Sequence, residues 1–328
     1  CLPIGGSDIR RLIEAAAARM AGHVRRTPLL NAPLLDKAAG RRIFVKAECL
    51  QVTGSFKARG GWSAVSALSP EARKRGVIAY SSGNHAQGVA HAAARHDSPC
   101  VILMPSDAPQ VKIANTRGYG AEVVLYDRAT EDRDAIGARI ASERSLTLIK
   151  PYDDPQVIAG QGTVGLELAE QAQEAGITQA PVFVCCGGGG LSSGIALALA
   201  ARVPGLKVRT AEPQGFDDMA RSLATGQRAR NPALSGSICD AILTPTPGDL
   251  TLPILSRLAG PGAVITDDEA LRAMSMAFTH LRIVLEPGGA AALAAALFTH
   301  DLPDTVVAVA TGGNVDPAIF ASALGRFA

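Results

Sequence analysis

"VFVCCGGGGLSSGIALALAAR", Val182 to Arg202, puts four consecutive glycines between a short apolar run and an alanine-rich stretch. The apolar run predicts a buried strand, and Leu191 onward a helix. Glycine loses more backbone entropy on folding than any other residue, so such a block makes physical sense where a ligand must approach the main chain. A glycine loop that opens a helix aims unpaired N–H groups at one point, where the helix dipole also favours negative charge. A phosphate fits that arrangement. The block has no GK[ST], which excludes a P-loop, and Gly188, Gly190 and Gly194 give GxGxxxG rather than GxGxxG. Glu212 nevertheless ends the next predicted strand at about the twenty-residue offset of a dinucleotide site, so an NAD(P)-binding oxidoreductase is the rival reading.

On both sides of this stretch, strand-like and helix-like runs alternate. Strands are predicted at "RIFVKA", "VIAYSS", "PCVILMP", "AEVVLY", "PVFVCC", "LKVRTAE" and "DTVVAVA". A first helix is predicted around Ser7 to Gly22, and others at "HAQGVAHAAARH", "RDAIGARIASER" and "DEALRAMSMAFTHL". Most of the strands are continuous apolar runs, as expected when helices cover both faces of a parallel sheet, so the fold class is α/β. Ligands of such sheets sit beyond the carboxyl ends of the strands. "ARNPALSGSICDAILTPTPGD" is the longest stretch without periodicity, and its prolines predict a wrapping loop rather than a hinge.

Composition narrows the function. Among 328 residues, 32 basic side chains nearly balance 30 acidic ones, leaving a net charge of +2 and no field that implies nucleic acid or an anionic membrane. The six cysteines form no CxxC pair or disulfide framework, and no apolar stretch is long enough to span a bilayer. Arg10, Arg11 and Glu14 interrupt any signal-like segment early, so a reduced, cytoplasmic protein acting on small molecules is expected.

Two further junctions carry chemistry. Lys57 opens the helical run "FKARGGWSAVSAL", where a cation opposes the helix dipole and is pushed toward the neutral amine that attacks carbonyls. The alternative is a solvated surface lysine. In "SSGNHAQG", Ser82, Gly83, Asn84 and His85 offer backbone, hydroxyl and amide donors for a carboxylate, against the alternative of ordinary helix capping.

Taken together, "TGSFKARGG", "SSGNHAQGVA", "PYDDPQVIAGQGT", "GGGGLSSGIA", "AEPQGFDD", "EPGGAAALAAAL" and "TGGN" resemble the fold type II pyridoxal-phosphate enzymes. Within these, the likeness is to the threonine/serine dehydratase and serine racemase group, which includes 3-hydroxyaspartate dehydratases. It runs from about Thr27 to Asn314. The resemblance implies a tryptophan synthase β-like fold of two α/β domains with mostly parallel sheets and the cofactor between them. Residues 1–75 and 150–328 would form the large cofactor-binding domain, and residues 76–149 a small mobile one that closes over substrate. It further implies that Lys57 binds the aldehyde of pyridoxal 5'-phosphate and shuttles the α-proton, with Phe56 beside the ring. Gly187, Gly188, Gly189, Gly190 and Leu191 would cradle the phosphate. Asn84 would meet the phenolic oxygen, and Glu286 and Thr311 would complete the cofactor site. Ser82, on the ring face opposite Lys57, would join Gly83, Asn84 and His85 around the substrate carboxylate.

Thr311 matches the position that faces the pyridine nitrogen. A hydroxyl there cannot hold that nitrogen protonated, so the cofactor becomes a weaker electron sink, which suits loss of a β-hydroxyl over transamination. The implied activity is that of an ammonia-lyase of amino-acid catabolism, converting L-threonine or L-serine to a 2-keto acid and ammonia. If Arg133 pairs with a distal carboxylate, the substrate becomes 3-hydroxyaspartate; if Ser82 returns a proton, the activity becomes serine racemisation. A non-catalytic amino-acid sensor is disfavoured by the intact Lys57, Ser82 and Asn84. "AEPQGFDD" resembles a divalent-cation site, with Glu212, the Phe216 carbonyl and Asp218 as hard oxygen ligands for magnesium, manganese or calcium; the alternative is that Asp217 and Asp218 favour a helix N-terminus. A homodimer is usual in the group. The chain stops about a dozen residues after "TGGN", so no appended effector domain is expected.

Overall fold

The structure, a computed structural model, describes residues 6–81, 83–108, 110–127, 129–233 and 235–327. Ser82 and Cys1 lie outside the described residues. The apolar runs form strands β1 (Leu29–Leu30), β2 (Arg42–Ala47), β3 (Val77–Tyr80), β4 (Cys100–Pro105), β5 (Glu122–Tyr126), β6 (Thr147–Leu148), β7 (Ala180–Cys185), β8 (Leu206–Pro213), β9 (Ala263–Ile265) and β10 (Thr305–Ala310). They make a six-stranded sheet in the order β1-β2-β10-β7-β8-β9 and a four-stranded sheet in the order β5-β4-β3-β6. Every pairing is parallel except β1 with β2. All four strands of the smaller sheet come from residues 77–148.

This topology positions the site. β10, β7 and β8 lie side by side in the larger sheet, so their carboxyl ends bring Thr311, the glycine block and Glu212 to one rim. The Lys57 segment is tied to the same rim by an antiparallel bridge between Ser55 and Gly312. Phe56 N donates to Thr311 O at 3.1 Å and Gly313 N to Gly54 O at 2.9 Å.

The helix that follows, Lys57–Ser66, packs on the helix Asn84–Arg95 with main chain against main chain. A Cβ on Gly61 would stand 2.5 Å from Gly88 O, and one on Gly88 2.6 Å from Lys57 O. Beside this crossing lies Trp62, the single tryptophan. Its indole stacks on His23 at 4.3 Å and meets the His96 ring at 4.6 Å, while its Nε1 donates to Arg19 O. Below it, Arg59 pairs with Glu48 at 2.8 Å and Glu167 at 2.7 Å, and Lys46 pairs with Glu167 at 2.6 Å. Two buried cations and two carboxylates thus balance, which removes the penalty of an uncompensated buried charge.

Three short strands, β1, β6 and β9, were not expected; each extends a sheet edge by two or three residues. The helix predicted through "DEALRAMSMAFTHL" ends as Asp267–Met276 and runs on in a π-helical turn, Ala277–Leu281, stopped by Arg282 in the left-handed region. The described cysteines are free and buried. Among the described residues, no helix is long and apolar enough to cross a membrane.

Candidate active site

A cavity of about 920 Å³ opens between the two sheets and is lined by Phe56, Lys57, Asn84, the glycine block and Thr311. Lys57, the first residue of its helix, directs Nζ to Pro151 O at 2.6 Å, 5.2 Å from the Phe56 ring centroid. Burial lowers its pKa to about 8. The neutral amine is therefore accessible near neutral pH.

The glycine block leaves β7 and opens the helix Gly190–Arg202. Gly189 is left-handed, with φ at +91°, and supplies no side-chain cap. The first intrahelical bond runs from Ser193 N to Gly189 O, which leaves the first-turn N–H groups without helical partners. A Cβ on Gly188 would fall inside the Tyr152 ring, and one on Gly190 would lie 3.0 Å from Tyr152. The main chain itself thus forms the cradle, and its donors suit the phosphate of pyridoxal phosphate.

Asn84 is fixed by side-chain bonds on both sides of its amide. Its Nδ2 donates to Glu286 Oε1 at 2.6 Å, and its Oδ1 accepts from Asn314 Nδ2 at 2.7 Å, while Asn314 also donates to Thr53 O. One Asn84 N–H remains free of these bonds. Burial raises the Glu286 carboxyl to about 7, although the Asn84 bond opposes this. His85 is buried and its Nε2 bonds to Ile149 O at 2.9 Å. Burial, then the Lys57 charge, lowers it to about 3, so the ring is neutral and is spent on the main chain. The cap of this helix is Gly83, with no side-chain bond, so Asn84 does not serve as the capping residue.

Thr311 Oγ1 and Cys185 Sγ are 3.1 Å apart, and burial raises the thiol to about 11, keeping it neutral. Sequence reasoning missed Cys185, Asn314, Tyr152 and Thr244. The Thr244 hydroxyl lines the cavity and is buried without a partner among the described residues. "PYDDPQ", "TGGN" and the wrapping loop were the available signals, but none identifies which side chain turns inward.

Arg133 also lines the cavity, at the start of the helix Arg133–Arg144, which is capped by Asp132. Its side chain is 49% exposed, pairs with Asp134 at 3.1 Å and lies 5.8 Å from the Tyr80 ring. At the end of β8, Glu212 accepts from Met219 N and Ala220 N, both at 2.8 Å. Asp218 Oδ1 accepts from Asn231, whereas Asp218 Oδ2 is buried without a partner among the described residues. Burial raises both carboxyls, Asp218 to about 6, with the Asp218 charge adding to the rise at Glu212. An unpaired buried oxygen beside a second carboxylate suits a hard cation. Glu212 is fully buried beside the helix N-terminus at Asp218 and does not line the cavity, so it is not presented to a ribose, which removes the chief support for a dinucleotide site. A smaller cavity, of about 450 Å³, covers the buried ion network. Its rim charges pair with one another, as in Arg202 with Glu14 and Arg26 with Glu170.

The signature of pyridoxal-phosphate dependent enzymes matches residues 20–312. The chain belongs to that family. An L-threo-3-hydroxyaspartate ammonia-lyase of Pseudomonas sp is 42% identical over 313 residues, covering 94% of this chain and 96% of the relative. One from Saccharomyces cerevisiae is 40% identical over 311 residues, covering 94% and 93%. The crystal structure of a threonine deaminase from T.th. superposes with a TM-score of 0.88 at 42% identity, covering 93% of this chain and 98% of that one. In this pyridoxal-phosphate enzyme the fold type II architecture accounts for the parallel sheets and the cavity between them.

Proposed function

We propose that the protein is an ammonia-lyase acting on 3-hydroxy amino acids, with L-threo-3-hydroxyaspartate the favoured substrate and L-threonine and L-serine the alternatives. The observation that carries this reading is that Arg133 and Lys57 line one cavity with the glycine block. The hydroxyaspartate ammonia-lyases at 42% and 40% identity support it. Pyridoxal phosphate, when bound, supplies the electron sink for the α-carbon. Lys57 holds it and its amine takes the α-proton, while Phe56 packs beside the ring. Gly187 to Leu191 hold the phosphate through main-chain N–H groups. The free Asn84 N–H meets the phenolic oxygen; Glu286 and Asn314 keep that amide from flipping. Thr311, held by the neutral Cys185 thiol, meets the pyridine nitrogen.

The substrate carboxylate lies on Gly83, Asn84 and the main-chain N–H of His85. Ser82 would complete that grip. Arg133 takes the side-chain carboxylate in a bidentate pair. The β-hydroxyl leaves as water, and hydrolysis of the released enamine gives keto acid and ammonia. Glu212, Asp218 and the Phe216 carbonyl would bind magnesium, manganese or calcium, a reading supported by the unpaired Asp218 oxygen. The described cysteines, free and buried, support a reducing, cytoplasmic setting, and a homodimer is the assembly expected from the family.

The deciding experiment incubates the cofactor-loaded protein with each amino acid and measures keto acid and ammonia. Equal amounts of both are expected, with the highest kcat/KM on L-threo-3-hydroxyaspartate. Absence of keto acid from all of them rejects the lyase reading.

A further inference from the structure

A second arginine reaches the same cavity from the segment between β8 and β9. Arg228 lies in the loop after the helix Asp218–Thr225 and lines the cavity with Arg133 and Tyr152. Its Nη1 donates to Pro247 O at 2.6 Å and its Nη2 pairs with Asp249 at 2.8 Å. The Pro247 segment is in turn attached to the glycine block. Gly248 N and Thr251 Oγ1 both donate to Gly188 O, and Leu250 N donates to Asp153 Oδ1. The guanidinium is therefore anchored near the cradle by a main-chain carbonyl.

Its ionic partner is weakly held by contrast. The Asp249 side chain is 84% exposed, and Asp134, the partner of Arg133, is 72% exposed. Surface ion pairs of this kind contribute little, so a ligand carboxylate can replace either partner at small cost. Tyr152 lines the cavity with both arginines. Its phenol makes no hydrogen bond among the described residues and feels both charges: burial, Asp153 and Asp218 raise its pKa, while Arg133 and Arg228 oppose the rise. Lys112, another cation of the cavity wall, pairs with Asp240 at 3.1 Å.

We propose that Arg228, together with the Tyr152 hydroxyl, forms a second specificity-determining contact for the side-chain carboxylate of a dicarboxylic substrate, complementing Arg133. A carboxylate has about four acceptor sites, enough for one guanidinium fork plus further donors. The inference rests on the dicarboxylate reading above.

The test uses cofactor-loaded wild type, Arg228→Met, Arg228→Lys and Arg133→Met. It measures kcat and KM for L-threo-3-hydroxyaspartate and L-threonine, malonate binding by calorimetry, and cofactor affinity of the apoprotein. In Arg228→Met the kcat/KM ratio of hydroxyaspartate over threonine should fall roughly ten- to a hundredfold, mainly through KM, with a parallel loss of malonate affinity. Arg228→Lys should recover part of both, because a point charge replaces a fork. If wild type prefers the dicarboxylate and binds malonate while Arg228→Met leaves ratio and affinity unchanged, this inference alone fails. It also fails alone if the variant loses only cofactor affinity, which would assign Arg228 to the phosphate. A wild type that dehydrates threonine but neither binds malonate nor accepts hydroxyaspartate overturns the dicarboxylate reading, and this inference with it. A variant that does not fold is replaced by Arg228→Gln, judged by the same ratio.

Discussion

Glu286 combines burial, a bond from Asn84 and an elevated pKa of about 7. The folded chain therefore binds a proton there at pH values where the unfolded chain, near the ordinary 4.5, has already lost it. The resulting stability is fully present below the unfolded value and is lost as pH rises through about 7. Apoprotein stability should fall between pH 5 and 8, by at most about 1.4 kcal/mol per pH unit from this group, and the melting temperature should fall with it. Glu286→Gln, which keeps an acceptor for Asn84 without the titration, should flatten that fall; an unaltered slope in thermal melts would refute the assignment. Lys57 shows the opposite shift from the same cause, because burial disfavours an ammonium as it disfavours a carboxylate. An amine eased toward neutrality is the state that the proposed attack on the cofactor aldehyde requires.

Between elements, the crossing of the Lys57 and Asn84 helices permits no side chain at its centre. Gly88→Ala would drive a methyl to 2.6 Å from the Lys57 carbonyl, against main chain that cannot rotate away. Overpacking of this kind costs about 1–3 kcal/mol, readable by denaturant unfolding, and it should also impair turnover by shifting the residue that bears the amine. A variant of wild-type stability and activity would show that the helices separate easily. The helices and long strands were legible because continuous apolar runs bounded by turns report burial on both faces. β1, β6 and β9 were not, since a pair such as Leu29↔Lys46 has no periodicity and exists only through the strand it joins. The same locality explains the site. Lys57 and the glycine block announce themselves within a few residues, whereas Cys185 becomes interesting only beside Thr311, 126 positions away, and Asn314 only beside Asn84, 230 away.

Across the whole molecule, the proposed cation would tie the end of β8 to the helix Asp218–Thr225 and, through Asn231, to the loop that carries Arg228. Chelation should lower the melting temperature of wild type, and magnesium, manganese or calcium should restore it, by mass action on the folded state. Asp218→Asn should abolish that response; a chelator-insensitive wild type would remove the cation from the account. The indole of Trp62 offers a separate handle. It is wedged between one imidazole that follows the first helix and another at the end of the Asn84 helix. Sliding of that helix would alter the ring overlap on one side only, so the single tryptophan, excited apart from the tyrosines, serves as an optical gauge of helix displacement during turnover, with no label attached.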